Sequence, residues 1–274
     1  MTSPWSQHTR NPSVADDIDF EIKGQELQFL EIELDPGESA VAEAGAMVWK
    51  DAPVQMSTVF GDGRGADGGF MGKLLGAGKR LVTGESLFTT VYTHTGSGKA
   101  RVAFSAPVPG AILPIKLSDV GGTLICQKDS FLAAARGVEI GIHFQRRILT
   151  GLFGGEGFIM QRLTGDGWVF VQMGGTIVER ELKPGEELHV DTGCIAAMTP
   201  NVEFDIQTVG GVKSMLFGGE GLFFARLRGP GKVWIQSLPF ARLAGRMLAA
   251  AGGGGQNRGE GSVLGSLGNL LDGD

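Results

Sequence analysis

Leu152-Phe153-Gly154-Gly155-Glu156-Gly157 recurs, residue for residue, as Leu216-Phe217-Gly218-Gly219-Glu220-Gly221. The two hexapeptides stand 64 positions apart, and the same shift lays Gly121–Gln172 on Gly185–Gln236 without a gap. Of those 52 positions 18 are identical, among them Arg162-Leu163 on Arg226-Leu227, Gly165 and Gly167 on Gly229 and Gly231, and Gln172 on Gln236. An ungapped match of this length marks an internal duplication. A more divergent copy lies upstream. Asp35-Pro36-Gly37-Glu38 mirrors Lys183-Pro184-Gly185-Glu186 at a shift of 148, with Gly45 on Gly193 and Val54 on Val202. Gly84-Glu85-Ser86 then stands where the later copies have Gly-Glu-Gly, after a net insertion of 13 residues seated in the glycine-rich stretch 61–78.

Within the copies the hydrophobic period is two. Val202-Glu203-Phe204-Asp205-Ile206-Gln207 alternates apolar and polar, as do Val138-Glu139-Ile140 and Glu187-Leu188-His189-Val190-Asp191. Alternation of this kind predicts strands with one buried face. Val169-Phe170-Val171 and Val233-Trp234-Ile235 are continuously apolar, which predicts strands covered on both faces. Glycine contributes 46 of the 274 residues, about 17%, against a usual ~7%. With no triplet period, that excess fits many tight turns, because glycine adopts positive φ without steric cost. The convincing helix is 239–251, with Phe240, Leu243, Met247 and Leu248 on one face, Arg242 and Arg246 beside it, and Gly252 as a stop. The expected fold is therefore all-β: three tandem β-sandwich-like repeats in a pseudo-threefold arrangement, one C-terminal helix and a flexible Gly-rich tail. The boundaries are a polar N-terminal extension at 1–19 and repeats at 20–112 (with the insertion at 61–78), 113–180 and 181–251. The third repeat includes the helix, and the tail covers 252–274.

Composition excludes several classes. A net charge of −6 argues against nucleic-acid binding, which rests on clustered Lys and Arg neutralising phosphates. Lys79-Arg80 and Arg146-Arg147 are short enough to be a solvated face. Cys126 and Cys194 lie in apolar stretches without metal spacing, and so are expected to be buried free thiols. The histidines at His8, His94, His143 and His189 are scattered. No metal and no cofactor is expected. No segment has the apolar length of a spanning helix. The polar, acidic first 19 residues lack the apolar core of a signal peptide.

Two glycine-rich stretches imitate nucleotide loops. Gly63-Arg64-Gly65-Ala66-Asp67-Gly68 matches the dinucleotide pattern, but Gly69, Gly72, Gly76 and Gly78 follow it, where that motif needs a helix to open. Gly72–Lys79 has one residue too many between its glycines, and Arg80 stands where a phosphate loop needs Ser or Thr. The informative element is Gly-Glu-[Gly/Ser], which places Glu85, Glu156 and Glu220 at equivalent points. Around a pseudo-threefold axis, three carboxylates can converge on a cation or raise one another's pKa values. Alternatively each caps a glycine-rich turn by accepting backbone N–H bonds, since repeats preserve structural turns by default. Arg162 and Arg226 recur as well and are candidate ion-pair partners for these glutamates. In the insertion, Phe70, Met71, Leu74 and Leu75 stand beside Lys79 and Arg80. That mixture suits either an anionic bilayer surface or partner groove, or a loop folded back on its own module.

Gly84-Glu85-Ser86-Leu87-Phe88, the two Phe-Gly-Gly-Glu-Gly runs and Gly229-Pro230-Gly231-Lys232-Val233-Trp234-Ile235-Gln236-Ser237 together resemble one widespread family. It comprises uncharacterised bacterial and archaeal proteins and the fungal "altered inheritance of mitochondria" protein, and the likeness covers about residues 18–248. The resemblance implies repeated β-sandwich modules similar to the tryptophan RNA-binding attenuation protein, and it brings no established catalytic residue. The fungal relative's association with the mitochondrial inner membrane belongs to the same resemblance. Here the N-terminal stretch lacks the Arg-rich, acid-poor character of a mitochondrial presequence. Neither RNA nor tryptophan binding follows from a shared fold.

No nucleophile elbow or Cys–His pair stands in the sequence, so the expectation is a non-enzymatic, self-associating β-repeat scaffold or interaction protein. It would be a cytoplasmic homo-oligomer, peripheral to the inner face of a membrane or bound to a protein partner. The alternative is a small-ligand or cation-binding module with sites at the repeat junctions.

Overall fold

The computed structural model describes residues 14–60, 88–146, 158–208 and 223–251. These form several antiparallel sheets and one short C-terminal helix, so the mostly-β expectation holds. The first strands are β1 (Asp19–Lys23), β2 (Phe29–Leu34), β3 (Ser39–Glu43), β4 (Met47–Lys50), β5 (Val54–Phe60), β6 (Phe88–His94) and β7 (Ala100–Ser105). Then come β8 (Gly110–Lys116), β9 (Thr123–Gln127), β10 (Phe131–Ala135), β11 (Glu139–Arg146), β12 (Phe158–Thr164) and β13 (Trp168–Gly174). The last are β14 (Ile177–Leu182), β15 (Glu187–Asp191), β16 (Ile195–Met198), β17 (Glu203–Thr208), β18 (Phe223–Arg228) and β19 (Gly231–Gln236), followed by helix α1 (Phe240–Ala251).

Four sheets result, in the orders β1-β2-β7-β4, β5-β6-β3-β10-β13-β8, β11-β12-β9-β16-β19-β14 and β15-β18-β17. The two six-stranded sheets share one order, with every strand six places later in the second. Each is held at its middle by one strand pair, β3 with β10 in the first and β9 with β16 in the second. β10 is buried throughout and so is β16. β4 and β15 are outer strands of their sheets.

Local chemistry accounts for the turns. Pro36-Gly37 and Pro184-Gly185 occupy the two central positions of a tight turn, where proline pre-sets the first φ and glycine takes the positive second one. Gly37 has φ +93° and Gly185 φ +78°. The backbone N–H of Glu38 donates to the Asp35 carbonyl at 3.0 Å, and that of Glu186 to the Lys183 carbonyl at 2.9 Å. In return the glutamate carboxylates accept from the N–H groups of Asp35 and Lys183 at 2.8 and 2.9 Å.

Three cores lie between the sheets, and each draws side chains from distant parts of the chain. The first gathers Ile18, Leu30, Ile32, Tyr92 and Phe104 with Leu132 and Phe170. A second collects Leu117, Leu124, Phe131, Leu163 and Val171 with Ala196, Ala197 and Trp234. The third joins Ile125, Phe158 and Met160 to Ile195, Ala225, Leu227 and Val233. Residues of β10 and β13 thus fill the core of β2–β7, so hydrophobic burial, not only the ladder, locks successive segments together. Val169, Phe170 and Val171 are fully buried, as a strand covered on both faces requires. Glu203 and Asp205 face water between buried Val202 and Ile206, as the alternation predicts. Cys126 and Cys194 are buried and outside any disulfide, and burial pushes the Cys126 thiol far above its usual range.

Candidate functional site

Three features outside the cores have the exposure or chemistry of a site. The first is the β4 edge. Val48 is 54% exposed and Trp49 36%, and neighbouring Leu27 68%. With Phe29, Ser105 and Val108 they line an open groove of about 180 Å³. A surface of this kind marks an interaction site more often than isolated exposed apolar residues do. Alternation cannot signal it, because an edge strand and an interior strand share one period.

The second is α1, whose Phe240, Met247 and Leu248 stay exposed at 48%, 62% and 73%. The helix begins where the sequence places it, and its apolar face has no described element over it. Arg242 reaches Asp191 at 3.3 Å. Asp191 also accepts from the N–H of Gly193 at 2.9 Å, which fixes the turn that leads from β15 into β16.

A third feature is a glutamine cluster at the convergence of β9, β13, β19 and the start of α1. Gln172 donates through Nε2 to the Asp129 carbonyl at 2.9 Å, and Gln236 donates in the same way to the Gly193 carbonyl at 3.1 Å. Asp129 and Gly193 are themselves 64 positions apart, so the repeated glutamines do one job twice. Gln236 Oε1 accepts from the N–H of Gly174 at 2.9 Å, whereas Gln172 Oε1 is buried with no hydrogen-bond partner among the described residues. Gln127, Gln172, Gln236 and Asp129 line a cavity of about 20 Å³ there, close to the space of one water molecule. The repeated Gln172/Gln236 identity was the available sequence signal.

Glu43, at the end of β3, faces the same region. Burial, with the Asp129 charge adding and Lys128 opposing, pushes its carboxyl up to about 7. His94 is fully buried, and its ring closes a hairpin turn, with Nε2 on the Gly98 carbonyl at 2.9 Å and Nδ1 accepting from the Gly96 N–H at 3.3 Å. These contacts are structural.

Glu85, Glu156 and Glu220 lie outside the described residues, as do Phe70, Met71, Leu74, Leu75, Lys79 and Arg80 and the tail 252–274. In the chain the three glutamates fall between β5 and β6, β11 and β12, and β17 and β18. Arg162 and Arg226 are described and exposed. Arg162 Nη2 meets His143 Nδ1 at 3.0 Å, and that cation, after burial, holds the imidazole below its ordinary pKa. Arg226 stands 3.9 Å from the Glu187 carboxylate. Among the described residues no cluster of three or more His, Cys, Asp or Glu side chains is placed to hold a metal. No described helix is long and apolar enough to cross a membrane.

An uncharacterised protein of Streptococcus pyogenes serotype M6 is 30% identical over 227 residues, covering 82% of this chain and 87% of its own. Among solved structures, a crystal structure of a Streptococcus pyogenes protein from a structural genomics programme superposes with a TM-score of 0.67 at 24% identity, over 85% of this chain and 99% of that one. That likeness shows a shared fold. The family model described as "Mitochondrial biogenesis AIM24" matches residues 20–238, which takes in β2–β19, the groove at β4 and the repeated glutamines. The chain belongs to the mitochondrial biogenesis AIM24 family.

Proposed function

We propose that this protein is a non-enzymatic, self-associating scaffold made of three tandem copies of a six-stranded unit (β2–β7, β8–β13 and β14–β19) in pseudo-threefold succession. It works in the cytoplasm at the inner face of a membrane. The observation that carries the reading is that β4 and β15, each paired on one side only among the described residues, stand at the two ends of an otherwise continuous exchange of strands between units. Open strand edges are templates for pairing with another chain. Support for the unit itself is the sheet order that repeats six strands later, together with the repeated Pro-Gly turn and the repeated glutamine contact. The membrane part rests on α1, where exposed Phe240, Met247 and Leu248 adjoin Arg242 and Arg246. An apolar helix face flanked by arginines suits an anionic lipid surface.

Light scattering of the full chain, with and without phosphatidylglycerol vesicles, tests both parts. The expected result is a mass above one subunit and co-sedimentation with the vesicles that weakens in a Met247→Glu, Leu248→Glu variant. A strict monomer indifferent to vesicles would sink the reading.

The alternative, a small-ligand module, is favoured by one observation, the unpartnered buried Oε1 of Gln172. A water, or one polar group of a ligand, in that water-sized cavity satisfies it. Native mass spectrometry separates the two readings, since a reproducible adduct lost in Gln172→Met favours the ligand.

A further inference from the structure

The two interior junctions obey one rule. In the first, Ala133, Ala134 and Ala135 of β10 stand opposite Ala42, Val41 and Ala40 of β3. In the second, Ala197 and Met198 of β16 stand opposite Cys126 and Ile125 of β9. β4 is the first-unit counterpart of β10 and β16, because all three share one irregularity. The register slips between Met47 and Trp49 against β7, between Phe131 and Ala133 against β13, and between Ile195 and Ala197 against β19. By the same offsets β15 is the third-unit counterpart of β3 and β9. Each interior junction therefore joins a strand of the β3 kind to one of the β4 kind in the next unit. One strand of each kind is left over, β15 at one end of the chain and β4 at the other.

Resting on the self-association reading above, we propose that β4 of one copy pairs antiparallel with β15 of a second copy, with Trp49 opposite Val190, Lys50 opposite His189 and Asp51 opposite Leu188. Both interior junctions, carried over by the repeat offsets, give this same register. Burial agrees with a missing neighbour on each edge. Val48 and Trp49 are exposed, whereas Leu132, Ala133, Ala196 and Ala197 at the equivalent points are 0% exposed. On β15, Glu187 and His189 are exposed and Leu188 half-buried, whereas the corresponding Ser39, Val41 and Ala40 of β3 are buried. The chemistry fits the register. Trp49 against Val190 is an aromatic to β-branched cross-strand pair, among the favourable ones. The Lys50 ammonium comes between His189 and the carboxylate of Glu187 two residues along the same face. The α1 contact at Asp191 sits one residue beyond this register, clear of it. Because the two edges are different surfaces, the contact is head-to-tail and each added copy leaves one β4 and one β15 free, until the succession closes.

Two single-cysteine variants, Lys50→Cys and His189→Cys, test it under mild oxidation of the full chain. The expected result is a disulfide-linked dimer when the variants are mixed, at least tenfold more abundant than with either alone; the native cysteines are buried and do not compete. A double variant that crosslinks only within one chain would show β4 and β15 closing intramolecularly and overturn the proposal, and so would the absence of any crosslink. Independently, Trp49→Glu is expected to weaken assembly at least tenfold by light scattering while keeping the strand signature in circular dichroism. If Trp49→Glu assembles like the parent, another surface joins the copies; this proposal falls and the self-association reading stands. A parent chain that is monomeric at every concentration removes both.

Discussion

β16 runs Ile195-Ala196-Ala197-Met198 and β4 runs Met47-Val48-Trp49-Lys50, and each breaks register at its second residue against the strand beside it. The backbone device is the same, but the surroundings differ. β16 is flanked by β9 and β19 and covered above and below by two cores, so its centre is two alanines with no exposed area. β4 has β7 on one side only, and the same two positions carry valine and tryptophan, both substantially exposed. Where two neighbours and two cores converge, the side chain is held to what fills the space at native packing density, alanine at 196 in β16 and leucine at 132 in β10. At an open edge, size is unconstrained from inside, and a large apolar residue is affordable only if something covers it.

Putting one charge at the same point of both strands breaks or confirms that contrast. Ala197→Asp buries a carboxylate with no cation and no water, at a cost of about 3–5 kcal/mol, a large share of the ~5–15 kcal/mol that holds a typical domain together. Thermal unfolding followed by circular dichroism is expected to show a midpoint lower by roughly 10 °C or more. Trp49→Asp, at the equivalent edge position, is expected to cost the isolated subunit only about 1 kcal/mol. Equal losses would mean that β4 is as enclosed as β16.

The ends of β3 and β9, the strands that β10 and β16 pair with, extend the comparison through pH. Glu43, Gln127 and Asp191 close β3, β9 and β15 at one equivalent position. β3 thus ends on an acid where β9 ends on a neutral amide, and burial pushes the Glu43 carboxyl up to about 7. The unfolded chain titrates near the ordinary 4.5, so the folded state binds this proton more tightly. Its contribution is fully present below pH 4.5 and is lost as pH rises through about 7, an effect of about 3 kcal/mol. Glu43→Gln, which copies the amide that ends β9, is expected to remove that slope and to stabilise the protein at pH 8 relative to the parent. Denaturant titrations at pH 5 and pH 8 measure it, and a slope unchanged by the substitution would refute the assignment to Glu43.

Much of this fold was legible before any coordinates. Period-two stretches such as Val202–Gln207 and Glu187–Asp191 are strands at the expected places, because alternation reports directly which face meets a core. The helix starts at Phe240, one residue after the Pro239 that opens the stretch read as helical. What periodicity omits is the partner. Nothing in Ala133-Ala134 says that β10 pairs with β3, some 90 residues earlier in the chain, since the choice depends on residues far away. The partner of Arg162 was hidden for a related reason. His143 reaches it from the irregularity between Ile142 and Phe144 on the neighbouring strand, and an extra residue of that kind leaves no mark on composition. The exposed groove at β4 was equally silent, for Met47-Val48-Trp49 reads like any strand entering a core.

The smallest effect belongs to the two matched turns, and it isolates local from tertiary cost. Gly37 lies before β3, which is buried between neighbours, and Gly185 before β15, which is an open edge. Both glycines have positive φ, and a Cβ added at either would meet nothing within 4 Å. The penalty for alanine is then the backbone strain alone, about 1 kcal/mol at each position. Gly37→Ala and Gly185→Ala are therefore expected to lower stability by the same amount in denaturant titrations of the subunit, although one turn serves an enclosed strand and the other an edge. Asparagine at either site is expected to cost less, because its short polar side chain tolerates the left-handed region. A loss at Gly37 several times that at Gly185 would show that the turn is strained by the junction behind it. The contrast between enclosed and open strands would then begin in the turns rather than in the strands themselves.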